Sequence, residues 1–416
     1  MNQYNLIIIG AGPAGLMAAC RAGELGAKVI ILEKNKRPGI KLLTTGGGRC
    51  NFTNNISDPR IMAARYLPNG RFLISALAHF GPQETISYFN AAGLESKIEN
   101  NGRVFPKTNR AFDVLNVLLK KIAALRGEIR FESSVKTIVK KGNRIEKIIL
   151  FNGTELSADN YLLATGGKSY PITGSTGDAY AWLHKLGHNI IKARPALVPL
   201  FLRENFIKDL QGLSLSDLSL SLFSENKLVS TLRGDLIFTG QGISGPIALD
   251  ASRYLESASP KKYRLELDLF PDMKEPELDI RLQTLFHSGH KLFKNILDSL
   301  VPPKLAPVLF SLLGIAADKQ GNMVTKSEKQ VIIKLLKKFP LSISGSGDFS
   351  QAMITAGGAD LKEIDPKTMR SKLISNLYIA GELLDLSGPT GGFNLQLCWS
   401  TGYIAGESSV DKNIHL

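Results

Sequence analysis

The sequence predicts an α/β protein in which a discontinuous Rossmann-like, two-dinucleotide-binding domain is interrupted by an antiparallel β domain and a helical subdomain. Two observations support the Rossmann-like part: a G-x-G-x-x-G turn that directly follows an apolar N-terminal strand, and two later apolar strands that each end in a short glycine motif. A third observation supports the insertion. Apolar residues between 197 and 269 recur with a period of two, as in half-buried antiparallel strands.

The glycine turn joins the strand Asn5–Ile9 to a helical pattern that follows it. The first glycine permits the tight turn, the second lets the backbone approach a pyrophosphate, and the third lets helix and strand pack closely. N–H groups at the start of the helix are free to bind the anion. The predicted contacts of this turn are Gly10, Gly12, Pro13, Ala14 and Gly15.

An acidic residue, Glu33, stands at the tip of the second strand, Lys28–Leu32. In dinucleotide-binding domains an acid about 20 residues after the glycines accepts hydrogen bonds from the adenosine ribose. We therefore expect an adenine dinucleotide without a 2′-phosphate at this position.

The second and third elements are an Ala-Thr-Gly strand end, with Thr165 and Gly166, and an Ala-Gly-Glu strand end, with Gly381 and Glu382. The latter strand delivers an acid to the ribityl and pyrophosphate region. Three ordered elements together favour FAD over NAD as the resident cofactor. A second G-x-G-x-x-G is absent from the sequence, so we expect NAD(P)H to visit the flavin transiently as electron donor.

Two glycine-rich stretches could approach the cofactor. In the first, three adjacent glycines, Gly46–Gly48, imply a backbone that lies against a flat or anionic group. Cys50, beside Arg49, is a weak candidate for a thiol of lowered pKa that delivers a proton, and a structural role is the alternative. In the second stretch, a helical pattern over 394–407 places a positive helix end at the flavin pyrimidine edge.

The composition is that of a basic protein: 416 residues with 51 Lys and Arg against 37 Asp and Glu, a net charge of +14. The excess is clustered, with eight basic residues against one acid over 34–71 and thirteen against five over 97–147. Clustered positive charge favours a polyanionic partner such as RNA. Three dispersed cysteines suggest neither disulfides nor a metal site, and the absence of a leader or apolar span predicts a cytoplasmic protein without membrane contact.

Local patterns predict helices over 72–93 and 109–126 and a β-meander over 129–149. His184 and His188 are four residues apart, but Gly187 weakens the helix, so we expect both at the surface. The predicted domains are 1–190 (first part of the FAD-binding domain), 191–274 (inserted β domain), 275–340 (helical subdomain), 341–355 (return strand of the β domain) and 356–416 (second part of the FAD-binding domain).

Seven short motifs carry a family resemblance. They are Thr-Gly-Gly-Gly-Arg-Cys-Asn (45–51), Gly-Gly-Lys-Ser-Tyr-Pro (166–171), Thr-Gly-Ser-Thr-Gly-Asp (173–178), Ser-Gly-Pro (244–246), Thr-Ala-Gly-Gly (355–358), Ala-Gly-Glu (380–382) and Thr-Gly-Gly-Phe-Asn-Leu-Gln (390–396). Together they resemble the bacterial BaiN/RdsA-type family of NAD(P)/FAD-dependent oxidoreductases, from about residue 4 to residue 408.

The resemblance implies a β-barrel-like domain with a helical insert that covers the isoalloxazine ring, a flavin reduced by NAD(P)H, and a set of FAD contacts. Those contacts, beyond the first glycine turn, are Glu33, Lys34, Lys41, Gly46, Gly47, Gly48, Arg49, Cys50, Asn51, the backbone at Val135 beside adenine, Thr165, Gly166, Gly167, Gly381, Glu382, Asp385, Gly391, Gly392, Phe393, Asn394 and Leu395.

Two departures from the family pattern stand out. Gly240 follows Phe238-Thr239 where similar proteins often have His, which removes a polar group from the substrate side, and Leu397-Cys398 replaces an aromatic-plus-small pair. Two main activities remain open. The first is reduction of a uridine C5=C6 bond in large-subunit ribosomal RNA, as the dihydrouridine synthases of this family perform, and the second is an enone reductase or amine oxidase for small molecules. An FAD-bearing interaction protein without turnover is a third alternative.

Overall fold

The computed structural model of the chain describes residues 4–255, 262–287 and 291–410. They form two compact units. The sheet unit comprises the described residues up to Ala196 and from Phe349 on, and the barrel unit comprises those from Leu197 to Asp348.

Nineteen strands are present in the described residues. They are β1 Tyr4–Ile9, β2 Val29–Leu32, β3 Thr53–Asn54, β4 Ser96–Ile98, β5 Arg103–Pro106, β6 Glu128–Arg130, β7 Val135–Lys141, β8 Arg144–Leu150, β9 Glu155–Leu156, β10 Ala158–Leu163, β11 Ile190–Ala196, β12 Leu200–Leu202, β13 Ser214–Ser224, β14 Lys227–Thr239, β15 Gly242–Ser244, β16 Tyr263–Asp268, β17 Phe339–Ser346, β18 Ile354–Ala359 and β19 Leu377–Ile379.

Thirteen α-helices connect these strands within the described residues. They are α1 Pro13–Glu24, α2 Ile40–Thr44, α3 Pro59–Ala63, α4 Ile74–His79, α5 Pro82–Ala91, α6 Ala111–Ala124, α7 Asp178–Leu186, α8 Pro246–Ser252, α9 Glu275–His287, α10 Phe293–Asp298, α11 Ala306–Leu313, α12 Lys326–Lys337 and α13 Phe393–Ser408.

The centre of the sheet unit is a five-stranded parallel sheet in the order β19-β10-β1-β2-β6. Leu6, Ile7 and Ile8 of β1 are fully buried, as expected for a parallel strand covered on both faces. The chain leaves β1 for β2 on one side and later adds β10 on the other. The carboxyl end of β1 is therefore a point where the strand order reverses, the position at which such sheets bind ligands.

The barrel unit contains a closed antiparallel barrel in the order β12-β15-β14-β13-β16-β17. Leu218, Leu220 and Leu222 of β13 are buried, so their alternation with polar neighbours fills the barrel core. Helices α9 to α12 lie in the sequence between β16 and β17. The predicted fold class, a Rossmann-like sheet with an inserted barrel and helices, is confirmed.

Three local predictions need correction. The helix over 72–93 is two helices, α4 and α5, because Gly81 is extended and Pro82 begins the second one. Only β7 and β8 form the expected hairpin over 129–149, whereas β6 joins the parallel sheet. The patterns also miss β14, because its neighbouring apolar residues Leu228 and Val229 are both exposed and break the alternation.

Two further findings concern the described residues as a whole. No helix within 4–255, 262–287 and 291–410 is both long and apolar enough to cross a bilayer. Within the same ranges, no group of three or more His, Cys, Asp or Glu side chains is arranged to hold a metal ion.

Candidate functional site

A cavity of about 590 Å³ lies in the sheet unit, and its wall includes residues from the ends of β1, β2, β10 and β19. Its volume falls in the range of roughly 300–1,000 Å³ typical of small-molecule and cofactor sites. Fourteen of the predicted contacts line it: Gly10, Gly12, Pro13, Ala14, Glu33, Lys34, Lys41, Val135, Thr165, Gly166, Gly381, Glu382, Asn394 and Leu395. The parallel sheet thus brings together three motifs that are up to about 370 residues apart in the sequence.

The three glycines of the first turn differ in what surrounds them. A Cβ on Gly10, whose φ is 108°, would lie 2.6 Å from Ala164 O, and a Cβ on Gly15 would lie 2.0 Å from Gly10 O. On Gly12 the nearest described atom to a Cβ is Ala164 O at 4.0 Å. The fold itself therefore requires glycine at the first and third positions, while Gly12 has open space in front of it.

Helix α1 begins immediately after Gly12, with Pro13 in its first turn. No described side chain caps this N-terminus. The first N–H groups of an α-helix lack intrahelical acceptors and carry the positive end of the helix dipole. The turn therefore offers an anion-binding position on the cavity wall.

Glu33 is only 8% exposed and lies beside the glycine turn. Its Oε2 accepts a hydrogen bond from Ala11 N at 2.9 Å, and its Oε1 accepts one from Asn35 N at 2.8 Å. A carboxylate has about four acceptor positions, so each oxygen can still accept from a ligand hydroxyl. These backbone donors fix the orientation of the side chain at the end of β2.

A cluster of polar groups surrounds Glu382 at the end of β19. Lys41 Nζ lies 2.8 Å from Glu382 Oε2 and 3.1 Å from its Oε1. Ser169 Oγ and Thr355 N both donate to Oε1, each at 2.7 Å. The side chains of Lys41 and Glu382 are 22% and 15% exposed, and both line the cavity, so this ion pair forms a charged part of its wall.

Lys34 and Val135 lie where the chain leaves β2 and enters β7. Lys34 Nζ pairs with Asp178 Oδ2 at 2.6 Å and also donates to Thr176 Oγ1. Ser133 N donates to Glu33 O at 2.9 Å, which holds the segment before Val135 against the end of β2. Both predicted contacts therefore lie on the same side of the cavity as Glu33.

Twelve predicted contacts lie outside the described lining of the cavity: Gly15, Gly46, Gly47, Gly48, Arg49, Cys50, Asn51, Gly167, Asp385, Gly391, Gly392 and Phe393. Asp385 is 7% exposed, and burial raises the pKa of its carboxyl group. Arg49 lies with its guanidinium 4.1 Å from the centre of the Phe105 ring and donates to Glu99 and to Asn109 Oδ1. The predicted cofactor roles of these twelve residues stay predictions.

Cys50 does not have the properties expected of a reactive thiol. Its side chain is fully buried, and burial raises its pKa to about 12. The expectation of a lowered pKa is wrong, because Arg49 points to Phe105 and Glu99 and gives the thiol no compensating charge. The structural role remains for Cys50.

Helix α13 begins at the second glycine-rich stretch. Gly392, with φ 94°, is its N-cap, and a Cβ there would lie 2.3 Å from Thr53 O. Asn394 Oδ1 accepts from Gly388 N at 2.8 Å, and its Nδ2 donates to Gly388 O at 3.0 Å, which fixes the preceding loop. Nearby, Asn51 Oδ1 is buried without a hydrogen-bond partner in the described part of the chain.

Several cavity residues were not predicted from the sequence. Phe151, 71% exposed, is brought to the wall because Phe151 N donates to Ser134 O at 3.0 Å, just before β7 begins and just after β8 ends. The departure from the family pattern at Leu397 and Cys398 also lies on the wall rather than only in the packing behind it. Other unpredicted lining residues include Asn35, Arg37, Lys136, Thr173, Trp182 and Met353.

His188, expected at the surface, is buried. Its Nδ1 lies 3.0 Å from Glu363 Oε2, and its Nε2 lies 2.8 Å from Ser371 Oγ. Burial lowers the pKa of the imidazole despite the carboxylate partner. The expectation for His184 holds, since that side chain is exposed.

Comparisons with known proteins agree with this architecture. A family model described as HI0933-like protein Rossmann domain matches residues 4–408. The 3-dehydro-bile acid delta(4,6)-reductase of Clostridium scindens is 30% identical over 99% of this chain and 100% of its own length. The ribosomal RNA dihydrouridine synthase of Haemophilus influenzae is 32% identical over 97% of this chain and 98% of its own.

A solved structure supports the fold alone. The 3-ketosteroid delta1-dehydrogenase from Sterolibacterium denitrificans matches 99% of this chain and 100% of its own, with a TM-score of 0.54 and 13% identity. The family match and the near full-length relatives show more than the fold, and from them it follows that the chain belongs to the HI0933-like protein family.

Proposed function

We propose that this chain is an FAD-dependent oxidoreductase that takes electrons from NAD(P)H and reduces a carbon–carbon double bond of its substrate. One observation carries the proposal: a single cavity in the sheet unit gathers the glycine turn, Glu33 and the Ala-Gly-Glu strand end. The open space in front of Gly12 fits the group, because the fold leaves room there for a pyrophosphate against the backbone.

The residues present supply a complementary contact for each part of FAD. The N-terminus of α1 would bind the pyrophosphate, Glu33 would accept from the adenosine ribose, and the backbone at Val135 would lie beside adenine. The N-terminus of α13 would lie at the pyrimidine edge and favour the negative charge of the reduced ring. Bound there, FAD supplies hydride transfer between the nicotinamide and the substrate.

The purified protein should be yellow and contain about one FAD per chain. NADH or NADPH should bleach the flavin under anaerobic conditions. Gly12→Trp should fill the open space in front of the turn, and Glu33→Arg should replace the ribose acceptor with a cation, so both variants should be colourless. Absorbance at constant protein concentration measures the FAD content, and circular dichroism confirms that the variants fold. Stoichiometric FAD in folded Gly12→Trp would contradict the assignment.

The substrate we propose is a uridine of large-subunit ribosomal RNA, which gains hydride at C6 and a proton at C5. The net charge of +14 supports an RNA partner, and a relative 32% identical over nearly the whole chain is named a ribosomal RNA dihydrouridine synthase. The target base would have to leave its stack to reach the flavin. The protein would act in the cytoplasm, where ribosomal RNA and reduced nicotinamides are both present.

A small conjugated molecule is the second candidate substrate. The relative named a bile acid delta(4,6)-reductase is 30% identical over 99% of this chain, nearly the same similarity as the RNA-modifying relative. Gly240 also lacks the polar side chain that similar proteins often have there. Positive charge on the protein distinguishes the two candidates. It strengthens the binding of RNA, which carries one phosphate per nucleotide, and it adds nothing to the binding of a neutral enone.

A further inference from the structure

The positive charge of the chain is concentrated in one unit. The segments of the sheet unit, 1–196 and 349–416, hold 32 Lys and Arg against 20 Asp and Glu, and segment 197–348 holds 19 against 17, which together make the 51 and 37 of the whole chain. An RNA partner held by electrostatic attraction would therefore meet mainly the sheet unit.

Three exposed arginines, Arg60, Arg65 and Arg71, lie on α3 and the short turn that follows it. This segment is attached to the loop before α13, because Leu67 N donates to Ser387 O at 3.0 Å and Ser387 N donates to Leu67 O at 3.2 Å. The arginines are thus on one flank of the 388–392 loop.

The acidic residues of the same stretch of sequence cap helices. Asp58 Oδ1 accepts from Arg60 N at 2.7 Å and from Ile61 N at 3.2 Å, which caps α3. Glu84 Oε2 accepts from Gly81 N at 3.0 Å, which caps α5. Asp58 and Glu84 are the only acidic residues in the sequence from 51 to 94, against the three arginines, which gives this stretch a net charge of +1.

A second basic group lies beside the same loop, near its end at Gly391. Asn54 Nδ2 donates to Gly391 O at 3.2 Å and to Asn101 O at 3.1 Å, which joins the small sheet β3-β5-β4 to the loop. Arg103 begins β5 in this sheet. Arg49 and Lys97 share one carboxylate, that of Glu99, and therefore leave a net positive charge beside it.

From this arrangement we propose that the arginine surface, defined as Arg60, Arg65, Arg71 and Arg103, binds the RNA phosphates that flank the uridine to be reduced. The inference rests on the proposed function. Arginine suits this task, since its planar, permanently charged fork matches a phosphate group with paired donors. The position also suits it, because both groups are attached to the loop that leads into α13, whose N-terminus we place at the pyrimidine edge of the flavin.

The test uses three FAD-loaded proteins: wild type, Arg60→Gln/Arg71→Gln, and a control with the same charge change in the barrel unit, Lys334→Gln/Lys338→Gln. All four side chains are exposed. The probe is unmodified 23S ribosomal RNA made by transcription. Its affinity is measured by filter binding between 50 and 300 mM salt, and dihydrouridine formation is measured with NADPH as reductant.

We expect the arginine variant to bind roughly tenfold more weakly than wild type near 150 mM salt, and the slope of log affinity against log salt to fall in magnitude by about one per arginine. Its KM for RNA should rise while the rate of flavin reduction by NADPH stays unchanged. The control should bind within about twofold of wild type.

Equal losses of RNA affinity in the two variants, or no loss in the arginine variant, would contradict the proposal that the arginine surface binds RNA. Wild-type protein that fails to bind the RNA in a salt-dependent way would overturn it as well. Salt-dependent binding that needs Arg60 and Arg71 but yields no dihydrouridine would support the surface and contradict the proposed function, so the two failures are distinguishable.

Discussion

At the scale of single residues, His188 shows how burial decides the behaviour of a titratable group. The ring contacts Glu363 and Ser371 at hydrogen-bond distance, and a neutral imidazole satisfies both by donating through one nitrogen and accepting through the other. Burial disfavours the charged form and outweighs the carboxylate, so the pKa is lowered. This group links the segment after α7 to the loop before β19.

The lowered pKa of His188 predicts a loss of stability in acid. In the unfolded chain a histidine has a pKa of about 6.5, so below that pH the unfolded state binds the proton first. The free energy of unfolding that neutral His188 contributes is fully present above about pH 6.5. It is lost as the pH falls through the folded-state pKa, by up to roughly 1.4 kcal/mol per pH unit for one proton. Urea unfolding between pH 8 and 5 measures it.

The matched control is His184→Ala, which removes an exposed histidine of the preceding helix α7 and should leave the pH dependence unchanged. His188→Asn should be less stable at pH 8 and should lose less stability than wild type on acidification. An identical pH dependence in wild type and His188→Asn would show that this histidine does not bind its proton differently on unfolding.

At the scale of elements, the packing of α13 against α1 positions the glycine turn. A Cβ on Gly402 would lie 2.4 Å from Ala14 O, and a Cβ on Gly406 would lie 2.4 Å from Ala18 O. The two helices therefore approach backbone to backbone. Because Ala14 also lines the cavity, this contact links the position of α13 to the shape of the site.

Substituting either glycine of α13 should force the helices apart. Gly406→Ala and Gly402→Ala should each lower the free energy of unfolding by roughly 1–3 kcal/mol, the usual cost of overpacking. Gly402→Ala should also weaken FAD binding more than Gly406→Ala, since it pushes on Ala14 at the cavity wall. Urea midpoints and FAD titration are the measurements, and wild-type stability in both variants would contradict this description of the interface.

Sequence patterns predict elements best where one physical signal dominates. The strand β1 and its glycine turn follow from an apolar run and three glycines, and β13 follows from strict alternation. Apolar periodicity does not reveal the break between α4 and α5, because it continues on both sides of Gly81-Pro82, which marks the break. The edge strand β6 is three residues long, too short to carry a period of its own.

At the scale of the whole molecule, the candidate site depends on topology more than on local sequence. The motifs at Gly12, Glu33 and Glu382 could be recognised individually, and parallel pairing explains why they meet. The sequence does not assign Phe151 and Met353 to the site. Phe151 reaches it through the pairing of β7 with β8, and Met353 lies just after the chain re-enters the sheet unit at Phe349. Burial of Cys50 likewise depends on the complete fold.

The uneven charge of the two units belongs to the same scale. The sheet unit holds 32 basic against 20 acidic residues, and an enzyme for a small neutral substrate has no need of this excess. A ribosomal RNA substrate presents one phosphate per nucleotide, which such positive charge attracts. This difference supports the proposal that the flavin site reduces a uridine of large-subunit ribosomal RNA.

The most direct test is to map dihydrouridine across total RNA from cells that lack the gene and from the same cells with it restored. We expect one uridine of large-subunit ribosomal RNA to remain unreduced in the deletion, and wild-type protein but not Glu33→Arg to restore its reduction. An unchanged map, with the reduced protein reoxidised by a small conjugated enone instead, would contradict the account.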